Sequence, residues 1–454
     1  MLEGQFLSRA SMVPTMVSLS EFLSKHGLST GDRVRAEWKG MHVEGIILPS
    51  PHPEKSSTMN VKMSSGYNTG LGLDHISSIQ KVPHAEGHST HAAATNSAPH
   101  HPSTKPGFSI VGVGGTIVSK VDYEIGGVAP RLSPTELMQM VPEIGEFAHI
   151  QNIVSPFTKA SEDFIPADWI KLAQTVVEEL KKPEVQGVVV THGTDTLHFT
   201  SAILSFMIRD LSKPVVLVGS QRSSDRGSSD ANMNLVCAAR IAISDIAEVG
   251  ICMHGSTSDD YCLFTRGTSV RKMHSTRRDA FRPINQRPLL KVWVDGRMEK
   301  VSEHALRSTQ TPTADAVFDE SVVLIKVFPG MSGDVLQYYA SKGCKGFIIE
   351  GTGMGHVNTH SFVPAIQKIT AQGIPVFITT QTIYGRVNLT VYDNLRLLKA
   401  AGAVGLEDML PETAYVKLGW VLAHTKERSK VNEMMLTNYA GEMTPFSRTD
   451  TFLQ

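Results

Sequence analysis

Cysteine is scarce: Cys237, Cys252, Cys262 and Cys344 are the only four in 454 residues, and they form neither a CxxC pair nor a zinc-finger spacing. A disulfide framework is thereby excluded, and the four read as small buried hydrophobes in a reducing compartment. Excess charge is missing too. With 43 Lys and Arg against 44 Asp and Glu the formal net charge is -1, which excludes a strongly basic surface. Nucleic acid would have to meet a local patch or be held by a partner. No apolar run approaches the roughly 18–20 residues of a membrane span, and the N-terminus lacks the charged-then-apolar pattern of a secretory signal. A cytoplasmic chain with no membrane association is the expectation. Neither a G-x-G-x-x-G fingerprint nor a Walker Gly-Lys-Ser/Thr is present, which argues against a nucleotide cradle.

What is present is an ordinary globular composition, 41% hydrophobic and 19% charged, in a chain long enough for two or three domains. The first unit, over 18–84, alternates polar and apolar residues. Arg33 to Trp38 and His42 to Ile47 flank a Lys39-Gly40 turn, and a further alternating stretch surrounds Met59 to Met63. Period-two patterning with glycine turns predicts a small antiparallel β-barrel-like module, suited to docking rather than catalysis. From 85 to 106 the chain is rich in His, Ala, Ser, Thr and Pro without apolar periodicity, and reads as a flexible linker. His84, His88, His91, His100 and His101 lie in or beside it, but no carboxylate or thiol set completes a site, so no metal is expected.

Beyond the linker, short apolar runs alternate with helical stretches. The runs Ser109–Val113, Gly187–Val190, Val215–Val218 and Val249–Met253 belong to a large α/β domain over 107–300. A helix from Asp168 to Lys181 presents Ile170, Ala173, Val177 and Leu180 on one face. A second set, Val322–Val327, Gly346–Ile349 and Pro375–Thr379, forms a smaller α/β domain over 320–454, joined to the first by an Arg-rich connection from Arg297 to Asp319. Both sheets should be mainly parallel.

In such sheets ligands bind beyond the carboxyl ends of the strands. Here those ends run into Gly114-Gly115-Thr116, into Thr191-His192-Gly193-Thr194-Asp195-Thr196, into Gly219-Ser220-Gln221 and into His254-Gly255. A threonine directly after glycine lets a turn expose both the hydroxyl and neighbouring N–H groups.

The pair Gly114-Gly115-Thr116-Ile117 and His192 to Thr196, in this order, resembles the two signature motifs of the bacterial-type asparaginase/glutaminase family. Arg271-Lys272 is similar to its later lysine motif and Ser161-Glu162 to its substrate-holding loop. The resemblance runs from about residue 107 to the C-terminus. Val113 and Val118 depart from the Thr and Ala that commonly flank the first motif, a packing change, since Thr116 is retained. The N-terminal module, the segment 222–230, Val121-Asp122-Tyr123 and the tail Thr444–Asp450 resemble one branch, the archaeal glutamyl-tRNA(Gln) amidotransferase D subunits. That resemblance implies a homodimer core within a heterotetramer. An E subunit holds tRNA(Gln), activates the tRNA-linked glutamate and uses ATP and Mg, while this chain binds no cofactor itself.

Amide hydrolysis needs a nucleophile, a base and oxyanion donors. The resemblance implies Thr116 as acyl-enzyme nucleophile, with Thr194, Asp195 and Lys272 as a second cluster in which lysine is base and aspartate its orienter. The sequence leaves the choice between the two threonines open. Ser161, Glu162, Gly115 and Gly193 are the expected substrate-binding positions, and Tyr123 sits in a glycine-flanked lid. By the same resemblance the loop Gly351–Gly355 reaches the active site of a neighbouring copy. Plainer readings stand beside these. Asp195 could cap the helix beginning near Thr196, and His192 reads as a packed core histidine. The basic run between Arg266 and Arg297 could be a solvated face or a phosphate contact. A free-standing asparaginase with a fused β module is the competing enzyme, and a catalytically silent scaffold the competing class.

Overall fold

The structure is a computed structural model that describes residues 17–48, 50, 52–63, 68–82, 105–114, 119–122, 127–130, 141–222 and 229–452. Gly115, Thr116, Val118, Tyr123, the stretch 223–228 and the histidines from 84 to 101 lie outside those residues.

The N-terminal unit is a five-stranded sheet in the order Asn68–Gly72, Thr58–Met63, Met41–Ile47, Arg33–Trp38, Ile76–Lys81, antiparallel throughout. Alternation puts Val34, Ala36, Val43 and Ile47 on the buried face. The two outer strands do not pair with one another among the described residues. Its apolar face is covered by a helix, Leu19–Lys25, that the strand-centred reading of 18–84 did not anticipate. The signal was there: Ser18 and Glu21 form a reciprocal capping box. Leu19, Phe22 and Leu23 then pack against the sheet.

The larger unit is built on an eight-stranded sheet. Its order is Met298–Lys300, Leu290–Val292, Cys262–Arg266, Val249–His254, Val215–Val218, Val185–Thr191, Gly107–Gly112, His149–Val154. The last five are parallel and the first three antiparallel. Only a short loop separates His254 from Cys262, too little for a parallel crossover, so the chain reverses there. In the central strands Val188 and Val190 face the Pro166–Leu180 and Leu197–Met207 helices, whereas Val189 faces the Ala231–Ala242 helix. Both faces are covered, which is why these strands read as continuous apolar runs.

The Pro166–Leu180 helix starts earlier than its periodicity suggests, with Pro166 at its first turn. Its buried face is formed by Trp169, Leu172, Ala173, Val176, Val177 and Leu180, with Ile170 only partly covered. A smaller parallel sheet runs Val322–Lys326, Gly346–Gly351, Val376–Thr380, Val404–Gly405. The Pro411–His424 helix joins its core to that of the larger sheet, with Trp420 stacked on Phe206 at 5.9 Å.

Gly107–Gly112 lies between the next two strands of this sheet in chain order, His149–Val154 on one side and Val185–Thr191 on the other. The strand order reverses there, which opens a crevice at the carboxyl ends. Gly114 and Thr191 to Thr194 stand at that crevice.

Candidate active site

Gly114 ends its strand at φ 145°, where an added Cβ would stand 2.2 Å from the Lys159 carbonyl oxygen. Only glycine allows this approach. It brings the 155–165 loop against the strand end, sealed by Lys159 N–H donating to Val113 O at 3.1 Å. Val113 itself is fully buried in the core, as a packing role for this departure requires. Lys159 Nζ binds both carboxylate oxygens of Asp168, at 2.7 and 2.8 Å, and Asp168 also accepts from Ile165 N–H. The loop is thus fixed to the start of the next helix.

That loop carries Ser161 and Glu162 in a single 3-10 turn. Ser161 is buried against Gly193, where a Cβ would meet its Oγ at 2.8 Å, and its carbonyl accepts from Thr196 Oγ1 at 2.6 Å. Glu162 is exposed. On the other side, Thr194 packs against Gly219, where a Cβ would lie 2.9 Å from its methyl.

Lys272 arrives from 78 positions away, at the end of the Val270–Lys272 strand of a hairpin with Phe281–Pro283. Its Nζ donates to Thr194 Oγ1 at 2.9 Å and to Asp195 Oδ1 at 2.6 Å. The lysine side chain is 11% exposed and the aspartate 64%, so the group is covered from behind and open in front. Asp195 does not cap the following helix. The cap position is Thr196, whose hydroxyl goes to Ser161 instead.

His192 lies beneath the cluster as a core histidine. Nδ1 is 2.6 Å from Gly193 O and Nε2 is 2.9 Å from Thr200 Oγ1, which also accepts from Trp169 Nε1. Burial lowers its pKa to about 4. His198 is lowered to about 3 by burial and by the nearby cations Arg271 and Lys272. Both rings are neutral and unsuited to proton transfer here.

Two supports of the site were invisible in the sequence. Arg271 turns away from Lys272 and pairs at 3.0 Å with Glu412, in the first turn of the Pro411–His424 helix, while Thr413 Oγ1 donates to Thr268 O. The smaller domain therefore braces the lysine strand. Pro411-Glu412 signals a helix start, but nothing local ties it to residue 271. Second, the buried Asp230 carboxylate accepts from Ser220 Oγ, Gln221 N, Arg222 N and Asn234 Nδ2, holding the third strand end in place.

Several arginines of the basic run are ion-paired. Arg266 pairs with Glu248, Arg277 and Arg282 with Asp279, Arg278 with Asp259, and Arg287 with Asp450. Among the described residues no group of His, Cys, Asp and Glu is arranged to hold a metal, and no helix is long and apolar enough to cross a membrane. A cavity of about 370 Å³ beside Arg209, Glu248 and Gly441 includes none of the cluster's residues.

Three family profiles match the chain: "GatD N-terminal domain" over 28–82, "Asparaginase, N-terminal" over 108–305 and "Glutaminase/Asparaginase C-terminal domain" over 321–435. The D subunit of glutamyl-tRNA(Gln) amidotransferase from Pyrococcus horikoshii is 47% identical, covering 96% of this chain and 100% of that one. The chain belongs to the family of glutamyl-tRNA(Gln) amidotransferase D subunits. The D subunit of Thermococcus kodakarensis is 46% identical over 96% of this chain and 99% of its own.

Among solved structures, the thermostable L-asparaginase from Thermococcus kodakarensis matches with TM-score 0.67 and 32% identity, covering 75% of this chain and all of that one. L-asparaginase I from Vibrio cholerae matches in fold, with TM-score 0.63, 24% identity and coverage of 75% and 99%. These asparaginases leave a quarter of the chain unmatched, whereas the D subunits span nearly all of it. The family is thus the amidotransferase branch, as the N-terminal module and tail suggested.

Proposed function

We propose that the chain hydrolyses the side-chain amide of glutamine or asparagine and supplies the ammonia for converting Glu-tRNA(Gln) to Gln-tRNA(Gln). The observation that carries this reading is Lys272 Nζ lying between Thr194 Oγ1 and Asp195 Oδ1. After losing one proton, the lysine amine can take the threonine hydroxyl proton, with Asp195 holding the resulting ammonium. A threonine oxygen attacks the amide carbon, the proton passes to the departing nitrogen, and water then cleaves the acyl ester.

Thr116 is the preferred nucleophile by family resemblance. In that case the Thr194–Asp195–Lys272 group serves the protons of attack and of hydrolysis; otherwise Thr194 attacks directly. Ser161, Glu162, Gly115 and Gly193 would bind the substrate, and Tyr123 would close over it. A partner, the E subunit, would take up ATP, Mg and most of the tRNA contact, around a homodimer of this chain, in the cytoplasm.

The test is ammonia release from glutamine and asparagine, with and without the E subunit, ATP and Glu-tRNA(Gln). Release stimulated by the complete mixture supports the reading. Full asparagine hydrolysis by the isolated chain, indifferent to partner and tRNA, returns it to a free-standing asparaginase. Peptide mapping of a trapped acyl adduct decides between Thr116 and Thr194.

A further inference from the structure

The imidazole of His254, fully buried at the end of the Val249–His254 strand, faces an oxygen acceptor at each nitrogen. Nδ1 is 2.6 Å from Asn234 Oδ1, and Nε2 is 3.0 Å from Asp259 Oδ1. The amide orientation is not free. Asn234 Nδ2 donates to Gly219 O at 3.0 Å and to Asp230 Oδ2 at 2.9 Å, so only Oδ1 is left to face the ring. A carboxylate cannot donate, so the Asp259 contact is a hydrogen bond in which Nε2 carries the proton.

The ring faces one anion, Asp259, shared with Arg278 at 2.5 Å. Asp230 stands beyond Asn234. The Cys262 thiol, which burial pushes well above its usual pKa, contacts Asn234 Oδ1 at 3.5 Å, and neighbouring Cys252 is raised in the same way. Burial alone would raise the Asp259 carboxyl, but the bond from His254 and the charge of Arg278 hold it below its usual range. Asp260 is turned aside to Ser256.

The acceptors lead to Lys272. Asp259 belongs to the short loop after His254. Arg278, in the turn of the lysine hairpin, donates to Asp259 and to Thr257 O. Arg282 donates to Gly255 O at 2.9 Å, and it is the register partner of Arg271, next to Lys272. Two arginines of one hairpin thus grip one loop, and the loop is clipped to the sheet through the His254 ring.

We infer that His254 is a positioning residue, fastening the 255–260 loop through Asp259 and so setting where the hairpin presents Lys272. This rests on the proposed role of Lys272 and extends it.

The test uses the full chain in two arms. Two-bond ¹H–¹⁵N NMR of ¹⁵N-histidine protein, assigned with His254→Asn, should show a proton on the His254 Nε2 that faces Asp259. In the kinetic arm, Asp259→Asn should lower kcat about tenfold or more with KM within about twofold, since small misplacement of a reacting group is costly. Asp259→Glu should recover most of the rate. A His254 Nε2 without a proton, or wild-type kcat in Asp259→Asn, overturns the inference. A wild-type chain that releases no ammonia overturns instead the function on which it rests, while the ring protons, read without turnover, decide the clip.

Discussion

Ser161 stands directly over Gly193: a methyl group on the glycine would lie 2.8 Å from Ser161 Oγ and 2.9 Å from its Cβ. No rotamer of serine relieves a clash with its own Cβ, so the 155–165 loop would have to move. Gly193→Ala should raise KM for glutamine or asparagine about tenfold, and overpacking should cost about 1–3 kcal/mol of stability. Steady-state kinetics and urea unfolding measure both. Unchanged KM would show that this loop does not hold substrate.

Lys272→Met preserves length and apolar bulk in a side chain that is only 11% exposed. Ammonia release should fall by about a thousandfold or more, as for loss of a base in a unit that acts together. Thermal unfolding should stay close to that of the wild type. Lys272→Arg should not recover activity, because guanidinium does not give up its proton.

His192 and His198 supply an acid limit to stability. Each is neutral when folded, with pKa values near 4 and 3 against 6.5 in the unfolded chain. A histidine whose folded pKa is lowered contributes stability that is whole above 6.5 and is lost as pH falls toward the folded value. For His192 the loss should reach roughly 3 kcal/mol by about pH 4. Urea midpoints between pH 7 and 4 measure it, and His192→Gln should flatten that slope.

Lys417 and Glu442 form an ion pair at 2.6 Å with both side chains wholly buried. Lys417 also donates to Met435 O and Thr437 O, while Glu442 accepts from Tyr439 and Ala440 N–H. Lys417→Met leaves a buried carboxylate without its cation and should cost about 3–5 kcal/mol. Adding Glu442→Gln should return much of that loss. Denaturant unfolding of the single and double variants forms the test.

The parallel core strands were legible because both of their faces are buried, which leaves an uninterrupted valine-rich run such as Gly187–Val190. Thr194 was legible as a candidate because it follows a glycine at a strand end. Harder to see were the Leu19–Lys25 helix, too short for a periodicity but marked by its capping box, and the true burial face of Pro166–Leu180, displaced toward Trp169 and Leu172. In the run from Arg266 to Arg297 the ion pairs were not legible. Composition cannot show which arginines have a carboxylate waiting, since those partners come from positions as distant as 248 and 450.

By itself the sequence determined the succession of units, the strand ends that carry glycine and threonine, and the residue types needed for amide chemistry. Those are local properties, written in period, spacing and turn chemistry. Only tertiary structure decided that Lys272 meets Thr194, that Ser161 lies on Gly193, and that Glu412 braces the lysine strand from the other domain. These contacts join residues far apart in the chain, and their geometry follows from sheet order and the packing of helices on both faces. No local pattern encodes that. The two threonine motifs pointed to the crevice, and the fold supplied the lysine.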